Sequence, residues 1–153
     1  MPGEAAPEEP LELRAHWRRL VNGWAARQRR PYEADASSVA LDLELPEAER
    51  KIRLAFRTTS NDMLLVLATD DRYLKEDQLA LAAAAANAWN IERLAPMLSV
   101  CDLDDTEQSP YLMGIRTLPL ACWAPQNSFR AMADQWLRES RDLFTWCHRN
   151  FRL

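Results

Sequence analysis

Apolar residues along this chain recur with two different periods. From about Leu11 they fall at Leu13, Trp17, Leu20, Val21 and Trp24, the i, i+4, i+7, i+8, i+11 spacing of one helical face. A first helix is predicted there, with acids (Glu8, Glu9, Glu12) ahead of bases (Arg27, Arg29, Arg30), as the helix macrodipole favours, and Pro31 ending it. The stretch "SVALDLELP" then alternates strictly. Val39, Leu41, Leu43 and Leu45 take one side, Asp42 and Glu44 the other, which predicts a half-buried strand.

After a polar link, Pro46 to Arg50, the stretch "KIRLAFR" repeats the alternation, with Ile52, Leu54 and Phe56 inward and Lys51, Arg53 and Arg57 outward. An acidic outer face would then meet a basic one across an antiparallel pair. "DMLLVLATD" follows a Ser-Asn-Asp turn signal and reads as a third, more deeply buried strand. A second helix is predicted over Lys75 to Asn90, and two more strands over Met97 to Leu103 and Tyr111 to Leu120, joined by the acidic turn "DDTEQSP". The last helix runs from Gln126 to about Asn150, with Phe129, Met132, Ala133, Trp136, Leu143, Phe144 and Cys147 at helical spacing. The order helix, three strands, helix, two strands, helix predicts an α+β fold with a largely antiparallel sheet.

The second helix is the peculiar one. Five consecutive alanines, Ala82 to Ala86, lie in a stretch with no charged residue between Asp77 and Glu92. Such a helix must be covered on more than one side. Leu74, Leu81, Ala82, Ala85 and Trp89 are expected to face the sheet. Ala80, Ala84 and Ala88 are then left outward, where a second subunit in a two-fold dimer or the chain's own last helix would cover them. Asn87 and Asn90 are expected to stop the helix, since asparagine tolerates the left-handed conformation, and Pro96 prevents its continuation.

Composition narrows the functional classes. With 153 residues the chain fits one domain, assigned to 11–153, behind a Pro- and Glu-rich segment, 1–10, expected to be a mobile tail. A net charge of -4 gives no general attraction to nucleic acid, and the arginines of the first helix (Arg14, Arg18, Arg19, Arg27, Arg29, Arg30) are the only dense basic segment. No stretch is long and apolar enough for a membrane span, and the N-terminus lacks signal-peptide character, so a cytoplasmic location is expected. Three cysteines far apart in sequence, Cys101, Cys122 and Cys147, suit separate reduced thiols.

Candidate chemistry is sparse. Cys147 and His148 are neighbours, but adjacent helical residues point about 100° apart, and Cys147 belongs to the apolar stripe. His16 has no patterned partner. No CxxC or HxxxH suggests a metal site, the acids around Asp102, Asp104, Asp105 and Glu107 lack the glycine and spacing of an EF-hand, and no glycine loop suited to phosphate occurs. No catalytic, cofactor-binding or metal-binding residues are assigned, no cofactor is expected, and the chain reads as non-enzymatic. The alternative is a small-ligand sensor or enzyme with a pocket between sheet and helices, where Trp89, Trp123 or Trp136 would stack on a ligand.

The segment Asn87, Trp89, Asn90 and Pro96, a following strand, acidic turn and strand, and the helix "DQWLRESRDLFTW" together resemble the YbjN domain family over roughly residues 11 to 150. The chain departs from that family in its more hydrophobic "MLSVCDL" and in its few glycines. The resemblance implies a type III secretion chaperone-like fold and a role in binding, sensory transduction regulation or chaperoning. It also implies a homodimer with a further, unidentified protein partner, and it carries no catalytic residues.

Overall fold

A computed structural model describes residues 7–102 and 109–153. The elements, in order, are β1 (Leu11–Glu12), α1 (Leu13–Arg27), β2 (Tyr32–Ala34), β3 (Ser38–Leu45), β4 (Arg50–Thr58), β5 (Met63–Asp70), α2 (Leu79–Glu92), β6 (Met97–Cys101), β7 (Tyr111–Pro119), β8 (Trp123–Ala124) and α3 (Gln126–Phe151). Short 3-10 turns precede β4 (Pro46–Ala48) and α2 (Glu76–Gln78). Six strands form one sheet in the order β2-β3-β4-β5-β7-β6, every neighbouring pair antiparallel, while β1 and β8 form a separate two-stranded ribbon. Fold class and the five main strands follow the expectation from periodicity. The three shortest strands had no counterpart in it.

The sheet's inner face is built by parity. Leu41, Leu54, Ala68, Gly114 and Leu98 stand side by side across five strands, all buried. All three helices cover this face: α1 over β3, α3 over β4 and β5, and α2 over the edge strand β6 and against α3. Gly114 lets α3 come close, since a Cβ at that position would lie 2.7 Å from the Leu143 Cδ2 atom. Each predicted apolar residue of α1 is buried, as are those of α3 apart from the half-buried Met132. Trp24, Phe56, Trp136 and Phe129 form a chain of ring contacts with centroids 5.5 to 6.2 Å apart.

On the outer face, Asp42 sits opposite Arg53 and Glu44 opposite Lys51. Arg53 grips Asp42 with both Nε and Nη2, at 2.9 and 3.1 Å. The acidic and basic strands therefore meet as their patterns required. Such exposed pairs stabilise by about 0.2–1 kcal/mol each.

Four expectations need correction. Residues 7–10 do not all belong to a free tail, because a Glu8 carboxylate oxygen accepts the Asn127 backbone N–H at 2.8 Å, satisfying a donor at the start of α3. Leu81 does not face the sheet; it is 42% exposed. Asn87 and Asn90 do not stop α2, which continues to Glu92 and ends at Arg93 in extended backbone, with neither asparagine left-handed. The reason lies in tertiary contacts of Asn90 that local propensity does not report. Finally, the strand expected to reach Leu103 ends at Cys101, and Leu103 and most of the acidic turn lie outside the described residues.

Candidate interaction face and helix latch

The inner side of α2 consists of Ala82, Ala85 and Trp89, which are fully or almost fully buried. At about 100° per residue, the opposite side carries Ala80, Ala84, Asn87 and Ile91, all exposed. Ile91 is 74% exposed. Leu81 flanks this line and is also exposed, whereas Ala88 is half-buried. Among the three alanines expected outward, then, Ala80 and Ala84 stand on the open line and Ala88 lies at its margin. Leu94, 98% exposed, and Met97, 49% exposed, follow within a few residues. With Ala95, Ile115, Arg116 and Thr117 they border a surface hollow of about 280 Å³.

The end of α2 is fastened to the sheet edge by the residues that carry the sequence resemblance. The Trp89 indole N–H donates to the Pro96 carbonyl at 2.8 Å. The Asn90 side-chain amide donates to the Leu98 carbonyl at 2.9 Å, and its oxygen accepts the Leu98 N–H at 2.8 Å. Asn90 thus mimics one residue of a neighbouring strand. It engages backbone groups that edge strand β6 would otherwise present for pairing with another chain. Arg93 lies over the Trp89 ring at 5.0 Å, and Trp89 meets Trp146 edge to face at 5.4 Å.

The tryptophans considered for ligand stacking do not converge. Trp89 and Trp136 are buried in the core, and Trp123 is 65% exposed on the small ribbon. Cys147 is buried, and burial, with the nearby Asp70 carboxylate adding to it, pushes its thiol up to about 12, so it is not a thiolate at neutral pH. Cys101, half-buried, is also raised by burial. Two arginines of α1 are engaged within the chain: Arg14 pairs with Asp62 at 2.7 Å, and Arg18 donates to the Asp35 and Ala36 carbonyls and lies over Trp17. Among the described residues, no three His, Cys, Asp or Glu side chains gather as a metal set, and no helix is long and apolar enough to cross a membrane.

One polar pair went unforeseen. Arg50 and Asp70 form an ion pair at 2.8 Å with both side chains almost completely buried. Burial pushes the Asp70 carboxyl up from its ordinary range, and the Arg50 guanidinium pulls against that shift. A signal existed: Arg50 is in phase with Ile52, Leu54 and Phe56, and Asp70 with Leu64, Val66 and Ala68, so both occupy inward positions. Assigning Arg50 to the link before the strand concealed it.

No protein-family model matches the chain, and no curated protein matches it in sequence. In structure it is similar to YbjN of E. coli, described as a proposed transcription regulator, with a TM-score of 0.65 over 84% of this chain and 88% of YbjN at 13% identity. At that identity the likeness establishes a YbjN-like fold.

Proposed function

We propose that this YbjN-like domain is a non-enzymatic regulatory module that works through protein contacts, as a homodimer joined along the outer face of α2. The observation that carries the reading is the line Ala80, Ala84, Asn87 and Ile91: exposed, without a charge, and opposite the buried side of the same helix. Monomers rarely leave such a face open, and small side chains permit a second helix to approach closely. A two-fold axis would cover the strip on both copies with the same contact.

The regulatory part of the reading follows YbjN's description as a proposed transcription regulator. We assign the regulation to a further protein partner. Nucleic acid is not assigned, because the net charge is -4 and Arg14 and Arg18 of the basic helix are engaged internally. A cytoplasmic location suits the three free thiols. The non-enzymatic part is supported by the inert Cys147 thiol and by the burial of Trp89 and Trp136.

Light scattering on the eluting protein, at tens of micromolar, is expected to give twice the 17.6 kDa chain mass. A single-chain mass over the accessible concentration range would overturn the homodimer.

A further inference from the structure

The two edges of the six-stranded sheet differ. At β6 the helix α2 lies against the strand, and the Asn90 amide holds both backbone groups of Leu98. At the other edge all three residues of β2 are exposed. The Asp42 N–H donates to the Pro31 carbonyl and the Asp35 N–H to the Ser38 carbonyl, so the bonded pairs of this ladder fall at Pro31, Glu33 and Asp35. The N–H and C=O groups of Tyr32 and Ala34 therefore point away from β3, and among the described residues no hydrogen bond takes them. Exposed groups in such a row are a template for one more strand.

Charge lies beside this edge. Ion pairs among the described residues take Arg14, Arg50, Arg53, Arg116 and Arg149, and leave Arg29 and Arg30, which stand just ahead of β2. The acids of the edge are already held: Glu33 by Arg53 at 3.2 Å, and Asp35 by the Ser37 and Ser38 backbone. Arg29 is exposed and left-handed, φ 53°, just past the end of α1, where glycine would be unstrained. Tyr32, 41% exposed, and Ala34 share one side of β2 and offer apolar contact to alternate residues of a guest strand. A second copy of β2 fits poorly. Pairing it antiparallel through Tyr32 and Ala34 would set Glu33 directly against Glu33 and bring no acid to the arginines.

We infer that the β2 edge receives an extended, acidic segment of another protein, which adds one strand to the sheet and meets Arg29 and Arg30 with its carboxylates. The open backbone groups favour a polypeptide over nucleic acid, which would use the arginines alone. The inference rests on the reading of a domain that works through protein contacts, and it names the chemistry of the further partner. It is separate from the dimer contact on α2, which packs at the opposite edge.

The probe is a short, end-blocked peptide of alternating glutamate and valine, titrated into the whole chain, with a lysine and valine peptide as control. The glutamate peptide is expected to bind saturably and to slow hydrogen exchange at the Tyr32 and Ala34 amides. Ala34→Pro removes an outward N–H that β3 does not use, a place where an edge strand tolerates proline, and is expected to weaken binding about tenfold or more. The double variant Arg29→Gly, Arg30→Gln keeps the strand backbone and is expected to weaken binding by a similar factor; it decides the matter if Ala34→Pro does not fold. Absence of binding, equal binding of the lysine peptide, or unchanged affinity in either folded variant would overturn the site. Tighter binding of a single-stranded oligonucleotide than of the glutamate peptide would overturn the assignment to protein. Peptide affinity and solution mass are separate readouts, so a monomeric chain would overturn the dimer without deciding this edge.

Discussion

Asp35 illustrates how a single exposed side chain organises backbone. Its Oδ1 atom accepts the Ser37 and Ser38 backbone N–H groups at 2.7 and 2.8 Å and the Ser37 hydroxyl at 2.9 Å, closing the turn that leads into β3. Those donors, the Ser37 N–H first, hold its carboxyl at about 2, against 3.8 for an unperturbed aspartate. A depressed folded-state value stabilises the fold above the unfolded value and loses that contribution as pH falls through the folded one. Asp35→Ala should therefore be less stable than the native chain at neutral pH, with the difference shrinking as the pH drops from 3.8 towards 2. Denaturation curves for both proteins across that window check it; a constant difference would contradict the assignment. Arg50 and Asp70 belong to the same scale. Their inward phase was readable in the sequence, but their pairing was not, because it depends on β4 and β5 bringing two residues 20 positions apart into contact.

At the scale of elements, long patterned segments were legible and short or uniform ones were not. β3, β4 and β5 announced themselves by alternation, and the opposite charges of β3 and β4 foretold their pairing. β1 and β8 have two residues each and pair across most of the chain, so no local period marks them. In α2 the difficulty was uniformity. Both sides are apolar, and without polar contrast Leu81 was assigned to the wrong side.

Asn90 was misread for a related reason: local propensity suggests a helix stop, while its two partners lie on Leu98 of another element. The two readings differ by experiment. A helix stop would tolerate Asn90→Gly, whereas the latch requires the amide. We expect Asn90→Gly to lower stability by about 1–3 kcal/mol, because the Leu98 N–H and carbonyl lose their partners. A urea midpoint unchanged from the native protein would show that the latch contributes nothing.

At the scale of the molecule, three helices cover one face of the sheet, and the helix at its edge turns an uncharged strip to solvent. The sequence singled out Ala80 and Ala84 as outward, but Asn87 and Ile91 complete that line only once α2 is seen to run beyond Asn90. A second apolar row would offer an alternative to the proposed α2 contact. On the outer face of the sheet, Ala40, Ala55, Leu67, Ile115 and Met97 stand in one cross-strand row that ends at the exposed Met97.

Substitution at Ala84 separates the two. A glutamate there places a charge in the middle of the α2 strip and leaves the outer row untouched, and Ala131→Glu, exposed on α3, serves as control. The measurement is solution mass, with circular dichroism confirming the fold. The account predicts a dimer for the native chain and for Ala131→Glu, and a folded monomer for Ala84→Glu. A folded Ala84→Glu that remains dimeric would contradict it and move the contact off α2.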